Sequence, residues 1–272
     1  MKKEKYVDNR KGHLKEYAEG KGMPIGGTYN YRGTIVTRDH ILKIEDGQTK
    51  RSVIEKYNVL NGVKCDLLKK LSPHSKAHHL NSSQILCYNF FRPYIDENGG
   101  ASQSLVDLLL NQGISIEQGA KCTFEYEDDL GDGTQFDFHI ASGETKVFFE
   151  VKYTENCFGE ASSSDAAKRQ YKNWYEVQFT QQQCLKEVPA DCEDFIANYT
   201  QHYQLYRNAI RITDKNKHLV LLYPKENENV EKEAQLFYDQ KINDDYKENV
   251  HLVHWENIVD KESELYKKYF AE

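Results

Sequence analysis

The chain has 272 residues, 29% of them charged, and a net charge of −7, a length that buries about three quarters of the unfolded surface in one large domain or one core with an elaborated arm. No apolar run approaches the ~20 residues of a membrane span, Met1-Lys2-Lys3 leads into charged sequence unlike a signal peptide, and the six cysteines lack the CxxC spacing of a zinc or disulfide framework. A cytoplasmic protein with reduced thiols is therefore expected. Charge is distributed unevenly: residues 1–80 hold 17 Lys and Arg against 9 Asp and Glu, net +8, and the remainder holds 19 against 34, net −15. That asymmetry fits a basic arm on an acidic body, with Lys69, Lys70 and Lys76 as candidate phosphate contacts. The arm is expected to span 1–78 and the body 79–272.

In chain order, residues 1–33 are polar and carry Gly20, Gly22, Gly26, Gly27 and Gly33, which suggests loops or a partly ordered lead-in. A strand at 34–44 and a helix at 50–60, closed by Asn61-Gly62, follow. The next helix, 81–94, places Ile85, Tyr88, Phe91 and Tyr94 at helical spacing with Asn81 or Ser82 as cap. A helix at 102–110 precedes three strands at 121–127, 134–141 and 145–153. Helical sequence at 164–187 and 192–212, an apolar strand at 218–223 and a last strand-helix segment from His251 complete the order. No repeat or low-complexity tract appears.

The most informative segment is 134–155, TQFDFHIASGETKVFFEVKYTE. Phe136, Phe138 and Ile140, then Val147, Phe149 and Val151, take every second position, the period of a strand with one buried face. The other face then carries Asp137, His139, Phe148, Glu150 and Lys152. A two-residue loop at Ser142-Gly143, or a four-residue one, opposes Asp137 to Phe148 or Glu150 and leaves both carboxylates on one side. Two adjacent carboxylates repel, and a cation relieves them. Oxygen donors suit Mg²⁺ or Mn²⁺ better than zinc, while the Lys152 ammonium can hold a water or offset charge on a phosphate. The bland alternative is an amphipathic hairpin whose exposed face happens to carry charge. The run Val147-Phe148-Phe149 argues for a central strand, where unpaired charge is costly.

Asp137, the hairpin and Glu150-Val151-Lys152 resemble the PD-(D/E)xK nuclease superfamily, which includes bacterial restriction endonuclease-like proteins. The resemblance implies an α/β fold with a restriction-endonuclease-like core, a central mixed sheet flanked by helices, here with an N-terminal basic extension. It also implies Asp137 and Glu150 as metal ligands, the Val151 carbonyl as a third, and Lys152 as partner of the attacking water. Phe136 stands where the family pattern has proline. Related nucleases place a Gln, Lys or Arg near the scissile phosphate from a later helix, for which Gln204 and Arg207 are the candidates. They often place a glutamate on the helix before the meander, a role that would fall here to Gln84. The activity implied is Mg²⁺-dependent hydrolysis of double-stranded DNA, Mn²⁺ being a possible substitute. A homodimer is compatible with it, and no membrane partner is expected. The alternative is a non-catalytic DNA-binding or regulatory protein on the same fold.

Three other clusters carry weaker signals. Glu125 and Glu127 are potential extra ligands, although with Asp128 and Asp129 they also read as an acidic, solvated turn. His74, His78 and His79 have metal spacing without a nearby carboxylate or cysteine, which favours a loop cluster or a phosphate contact over zinc. Ser162-Ser163-Ser164 reads as a helix start, since no Gly-x-Ser-x-Gly surrounds it.

Overall fold

The computed structural model describes residues 2–271, leaving Met1 and Glu272, the two ends of the expected arm and body, outside the description. Its contacts divide the chain into two units, Met1–Ile95 with Trp255–Glu272, and Asp96–His254. The division therefore falls past Ile95 instead of after residue 78, and the last segment joins the first unit. The charge asymmetry follows this division: 21 Lys and Arg against 14 Asp and Glu in the first unit, net +7, and 15 against 29 in the second, net −14.

The expected lead-in is ordered in the first unit. A helix occupies Lys2–Gly20: of the segment's glycines only Gly12 lies in its interior, and Leu14 and Ala18, one turn apart, are both fully buried. Strands β1 (Ile25–Tyr31) and β2 (Thr34–Leu42) pair antiparallel. Arg32 and Gly33 between them both have positive φ, 51° and 85°, the backbone that a two-residue hairpin turn requires. The helix Lys50–Val53 runs on as a π-helical turn, Ile54–Asn58, and Ser82 caps Ser83–Phe91 by accepting the Ile85 N–H. Lys69, Lys70 and Lys76 are exposed on this unit, as is His74. His78 and His79 are buried with ring centroids 4.7 Å apart. Burial first, and neighbouring cations after it, lowers the pKa of both rings.

A polar knot lies inside the first unit. Asn58 donates to the carbonyls of Ala77 and His79, and the fully buried Lys268 donates to the Asn58 carbonyl at 2.6 Å and to its Oδ1 at 2.9 Å. Burial lowers the Lys268 pKa from 10.5 to about 7. Between those values the unfolded chain binds a proton that the native state has released, so this group's contribution to stability rises with pH. The free energy of urea unfolding should therefore gain about 2 kcal/mol from this lysine between pH 7 and 9. Lys268→Met should remove that increment, and equal pH slopes in variant and wild type would refute the assignment.

The second unit is built on a five-stranded sheet in the order β3-β4-β5-β6-β7: β3 (Lys121–Glu127), β4 (Gln135–Ser142), β5 (Thr145–Val151), β6 (Lys217–Tyr223) and β7 (Val250–His254). The first three strands form an antiparallel meander, and β5, β6 and β7 run parallel. Parallel pairing requires crossovers. The first supplies the helices Ser164–Gln170, Glu176–Gln181, Cys192–Asn198 and Tyr203–Ala209, and the second supplies Glu228–Lys241. The helix expected at 164–187 runs unbroken over 164–181 with a π-helical turn, Tyr171–Tyr175, inside it, and the one expected at 192–212 is divided. The helix Glu228–Lys241 was not anticipated, although Val230, Ala234 and Phe237 mark its buried stripe.

Phe148, Leu219, Leu221 and Tyr223 pack with Tyr171, Tyr175, Phe195 and Tyr206 in the core between sheet and helices. Phe136 joins this core, its ring centroid 4.7 Å from that of Phe148, while Phe138 packs on Phe149. The strict alternation expected of Phe136 and Phe138 therefore breaks at Asp137. Across from it, Glu125 lies in the left-handed region at φ 50°, and the β3–β4 register passes from Phe124↔Phe138 to Tyr126↔Phe136. The left-handed residue and the interrupted pair re-aim the side chains on either side of this point of the sheet.

Candidate active site

The hairpin register decides which residue faces Asp137. The turn is Gly143-Glu144, one residue later than Ser142-Gly143, with Ser142 opposite Thr145 and Phe138 opposite Phe149. Gly143 has φ 57°, which a residue with a Cβ adopts at a cost. One step beyond the last pair, Asp137 meets Glu150. There the ladder yields to a side chain: the Val151 N–H donates to Asp137 Oδ2 at 2.7 Å.

Glu150 and Lys152 extend from the end of β5 into a polar cluster that is almost closed to solvent, at 2% and 8% exposure. Lys152 Nζ donates to Glu150 Oε1 at 2.7 Å and to Gln204 Oε1 at 2.8 Å, and Gln204 Nε2 donates to the same Glu150 oxygen at 2.8 Å. Asn208, one turn beyond Gln204, donates to Glu150 Oε2 at 3.0 Å. A carboxylate so buried requires partners of this kind. Burial opposes the Lys152 charge, but Glu150, Glu155 and Asp137 outweigh it and hold the ammonium pKa above its ordinary value. For Asp137, burial first, then Glu150 and Glu125, push the carboxyl pKa well above the ordinary range against the pull of Lys152 and the Val151 N–H.

Helix Tyr203–Ala209 owes its position to a buried ion-pair hub. Arg211 Nε donates to Asp128 at 2.8 Å, its second terminal nitrogen donates to Asp132 at 2.6 Å, and its first donates to the Arg207 carbonyl at 2.6 Å, closing the helix end. Asp132 also accepts from Thr134 and from the Tyr175 hydroxyl. The β3–β4 loop is thus fastened to the helix that carries Gln204 and Asn208.

The second unit brings together Asp137, Glu150, Lys152 and Gln204 of the expected set. Arg207 lies one turn from Gln204, half-buried, its guanidinium over the Tyr203 ring at 5.6 Å. Gln84 belongs to the first unit, where its Oε1 accepts the His74 N–H at 3.0 Å. Glu125, weighed as a turn residue, reaches Asp137 electrostatically, and Glu127 is exposed. Asn208, Arg211 and Asp132 are additions. Asn208 follows Gln204 by one turn of its helix and Arg211 lies just past the helix end, but their partners are 58 and 79 to 83 residues away in sequence, beyond the reach of periodicity. Among the described residues no group of three or more His, Cys, Asp or Glu side chains is assembled for a metal ion. Two carboxylates with a backbone carbonyl nevertheless fit a hard divalent cation, since Mg²⁺ retains several waters and takes one or two protein carboxylates.

The mixed sheet with helical crossovers, and an acidic site with a lysine at the end of its central strand, are compatible with a restriction-endonuclease-like core. The model of the family described as Restriction Endonuclease associating with ARP matches residues 11–272, and the chain belongs to this family. Comparisons with curated proteins and with solved structures find no match. No helix among the described residues is long and apolar enough to cross a membrane.

Proposed function

We propose that the protein is a divalent-metal-dependent endonuclease that hydrolyses phosphodiester bonds of double-stranded DNA. The observation that carries this reading is the buried Glu150–Lys152 pair, clamped by Gln204 and Asn208, beside an Asp137 whose carboxyl is charged only against opposition. Asp137, Glu150 and the Val151 carbonyl would hold Mg²⁺, with Mn²⁺ as substitute, and the bound ion would lower the pKa of a coordinated water and polarise the phosphate. Lys152 orients that water or offsets charge growing on the phosphate oxygens. Gln204, bridging lysine and glutamate, fixes the direction of both. Desolvation of the cluster strengthens each of these interactions. Lys69, Lys70 and Lys76 of the basic unit, and Arg207 beside the site, would engage phosphates. Gln84 is left out of this arrangement because it belongs to the first unit, where its Oε1 accepts the His74 N–H.

One observation supports the non-catalytic alternative: both Glu150 oxygens already accept protein hydrogen bonds, as a purely structural network would arrange. Metal binding separates the two. Mn²⁺ should raise the melting temperature of the wild type, because a ligand that binds the native state alone stabilises it by mass action. Folded Asp137→Asn, Glu150→Gln double variant should show no such rise. An unshifted wild type, or an equal shift in the variant, would count against the site.

A further inference from the structure

The two-stranded ribbon of β1 and β2 is covered on one face only. Its register pairs Gly27 with Arg38, Tyr29 with Val36 and Tyr31 with Thr34 on one face, and Thr28 with Thr37 and Asn30 with Ile35 on the other, since opposed residues share a face and successive ones alternate. Over 28–39 Tyr29 and Val36, a cross-strand pair, are half-buried, and the remaining residues are exposed. The Tyr29 ring lies 5.2 Å from that of His79, so this face turns to the body of the first unit. The root is held there: Ile41 and Leu42 are fully buried, the Leu42 N–H donates to the His78 carbonyl at 3.2 Å and the Leu80 N–H to the His40 carbonyl at 2.9 Å. The face of Thr28, Asn30, Ile35 and Thr37 is exposed along its whole length, Ile35 to 67%.

The turn at the tip is an independent observation. Positive φ at both central residues defines a turn that prefers Asn-Gly, yet Arg32 holds the first position at φ 51°. Arginine there carries backbone strain that asparagine or glycine would lessen, although Arg32 is exposed and its guanidinium lies over the equally exposed Tyr31 ring at 5.4 Å. Strain kept at a solvent-facing tip points to a task performed on a partner. Charge selects the partner. From Gly20 to Arg38 the sequence has no acidic residue, and Asp39 is paired with Lys15 at 3.4 Å, so Arg32 at the tip and Arg38 toward the root leave the ribbon positive within a unit of net charge +7. A protein partner would require an apolar centre, but the exposed apolar side chains Tyr31 and Ile35 stand on opposite faces. Duplex DNA fits both shape and chemistry: its major groove admits a two-stranded β-ribbon, Asn and Thr hydrogen-bond to base edges there, and apolar side chains meet the thymine methyl.

We propose that the β1–β2 ribbon enters the major groove of duplex DNA, with the face of Thr28, Asn30, Ile35 and Thr37 against the base edges and Arg32 and Arg38 on the flanking phosphates. This rests on the nuclease reading for DNA as the partner, but it can fail separately. Fluorescence anisotropy of a labelled duplex with the full chain, Ca²⁺ replacing Mg²⁺ so that binding is read without cleavage, tests it. Ile35→Glu sets a carboxylate in the groove and should weaken binding by roughly 10-fold or more, whereas Ile44→Glu, the same change at an exposed residue outside the ribbon, should weaken it by less than about 3-fold. Arg32→Asn should weaken binding roughly 3- to 10-fold and lower the salt slope by about one, while its melting temperature does not fall, because the turn receives its preferred residue. Asn30 is left unaltered because its Oδ1 also accepts the Gly33 N–H at 2.7 Å and holds the turn. A duplex whose cytosines carry glucosylated hydroxymethyl groups, which fill the major groove, should bind more weakly, and netropsin, which fills the minor groove, should not compete. No binding of the duplex, affinity unmoved by Ile35→Glu and Arg32→Asn, an equal loss in Ile44→Glu, competition by netropsin in place of an effect of glucosylation, or a wild-type dimer that Ile35→Glu dissociates without altering DNA affinity would overturn the proposal. Ribbon-dependent binding by a protein that leaves plasmid intact in Mg²⁺ and Mn²⁺ would refute the nuclease reading and leave the ribbon standing. Plasmid cleavage with binding indifferent to the ribbon variants would do the reverse.

Discussion

Lys152→Ala should lower the rate of DNA cleavage by on the order of 10²–10³-fold, the usual loss when a group that stabilises transition-state charge is removed. DNA affinity should change far less, because the ammonium acts where charge develops during reaction and its loss is felt in the rate. The surroundings of Lys152 add a second consequence. It is the cation nearest to Glu150 in a cluster closed to solvent, so the alanine variant leaves a buried carboxylate whose charge only amide donors satisfy. Breaking a buried pair by removing one partner commonly costs ~3–5 kcal/mol, and the variant should therefore also unfold at lower denaturant. Lys152→Arg should restore stability better than rate, since a planar guanidinium keeps the charge but cannot take the position of a compact ammonium. Single-turnover cleavage at the wild-type rate by Lys152→Ala would exclude the mechanism.

The second large effect lies outside the site. Arg211→Ala should destabilise the protein by ~3–5 kcal/mol, because it strands Asp132, whose side chain has no exposed surface, without its counter-charge. Burial alone would raise the Asp132 pKa. The Arg211 charge and hydrogen bonds outweigh it and hold the carboxyl below its ordinary value. Arg211→Lys should recover little, since one ammonium cannot reach Asp128, Asp132 and the Arg207 carbonyl as the guanidinium fork does. Adding Asp132→Asn to Arg211→Ala should cost less than the two single changes summed, as expected of residues in one network. A denaturation midpoint of Arg211→Ala indistinguishable from wild type would show the hub to be dispensable. A folded variant with slackened Gln204 and Asn208 contacts should lose cleavage while keeping its metal response.

Much of the acidic site was legible because local rules govern it. Alternation placed Asp137 and Glu150 on neighbouring strands, and an even-numbered loop kept them on one side. Whether Glu150 or Phe148 faced Asp137 was open, and the answer turned on a one-residue displacement of the turn to Gly143-Glu144, where Gly143 supplies the positive φ. The switch of Phe136 to the face of Phe148 was not legible. It follows from a left-handed Glu125 on the neighbouring strand, which no pattern within 134–155 encodes. Likewise Gln204, Asn208 and Arg211, spaced near one helical turn apart, look the same in sequence whether they meet water or buried acids, and only the crossover that lays this segment over the end of β5 decides. The helix Lys2–Gly20 was obscured for a different reason: its few apolar residues cover a single narrow seam, and the glycines that suggested a loop stand at or beyond its end.

The central claim is most directly tested by incubating supercoiled plasmid with the purified protein in Mg²⁺, with EDTA as control and Asp137→Asn alongside. Nicking or linearisation by the wild type in Mg²⁺, abolished by EDTA and absent from the folded variant, is the expected result. Plasmid left intact by the wild type in both Mg²⁺ and Mn²⁺, or cut equally by Asp137→Asn, would contradict it.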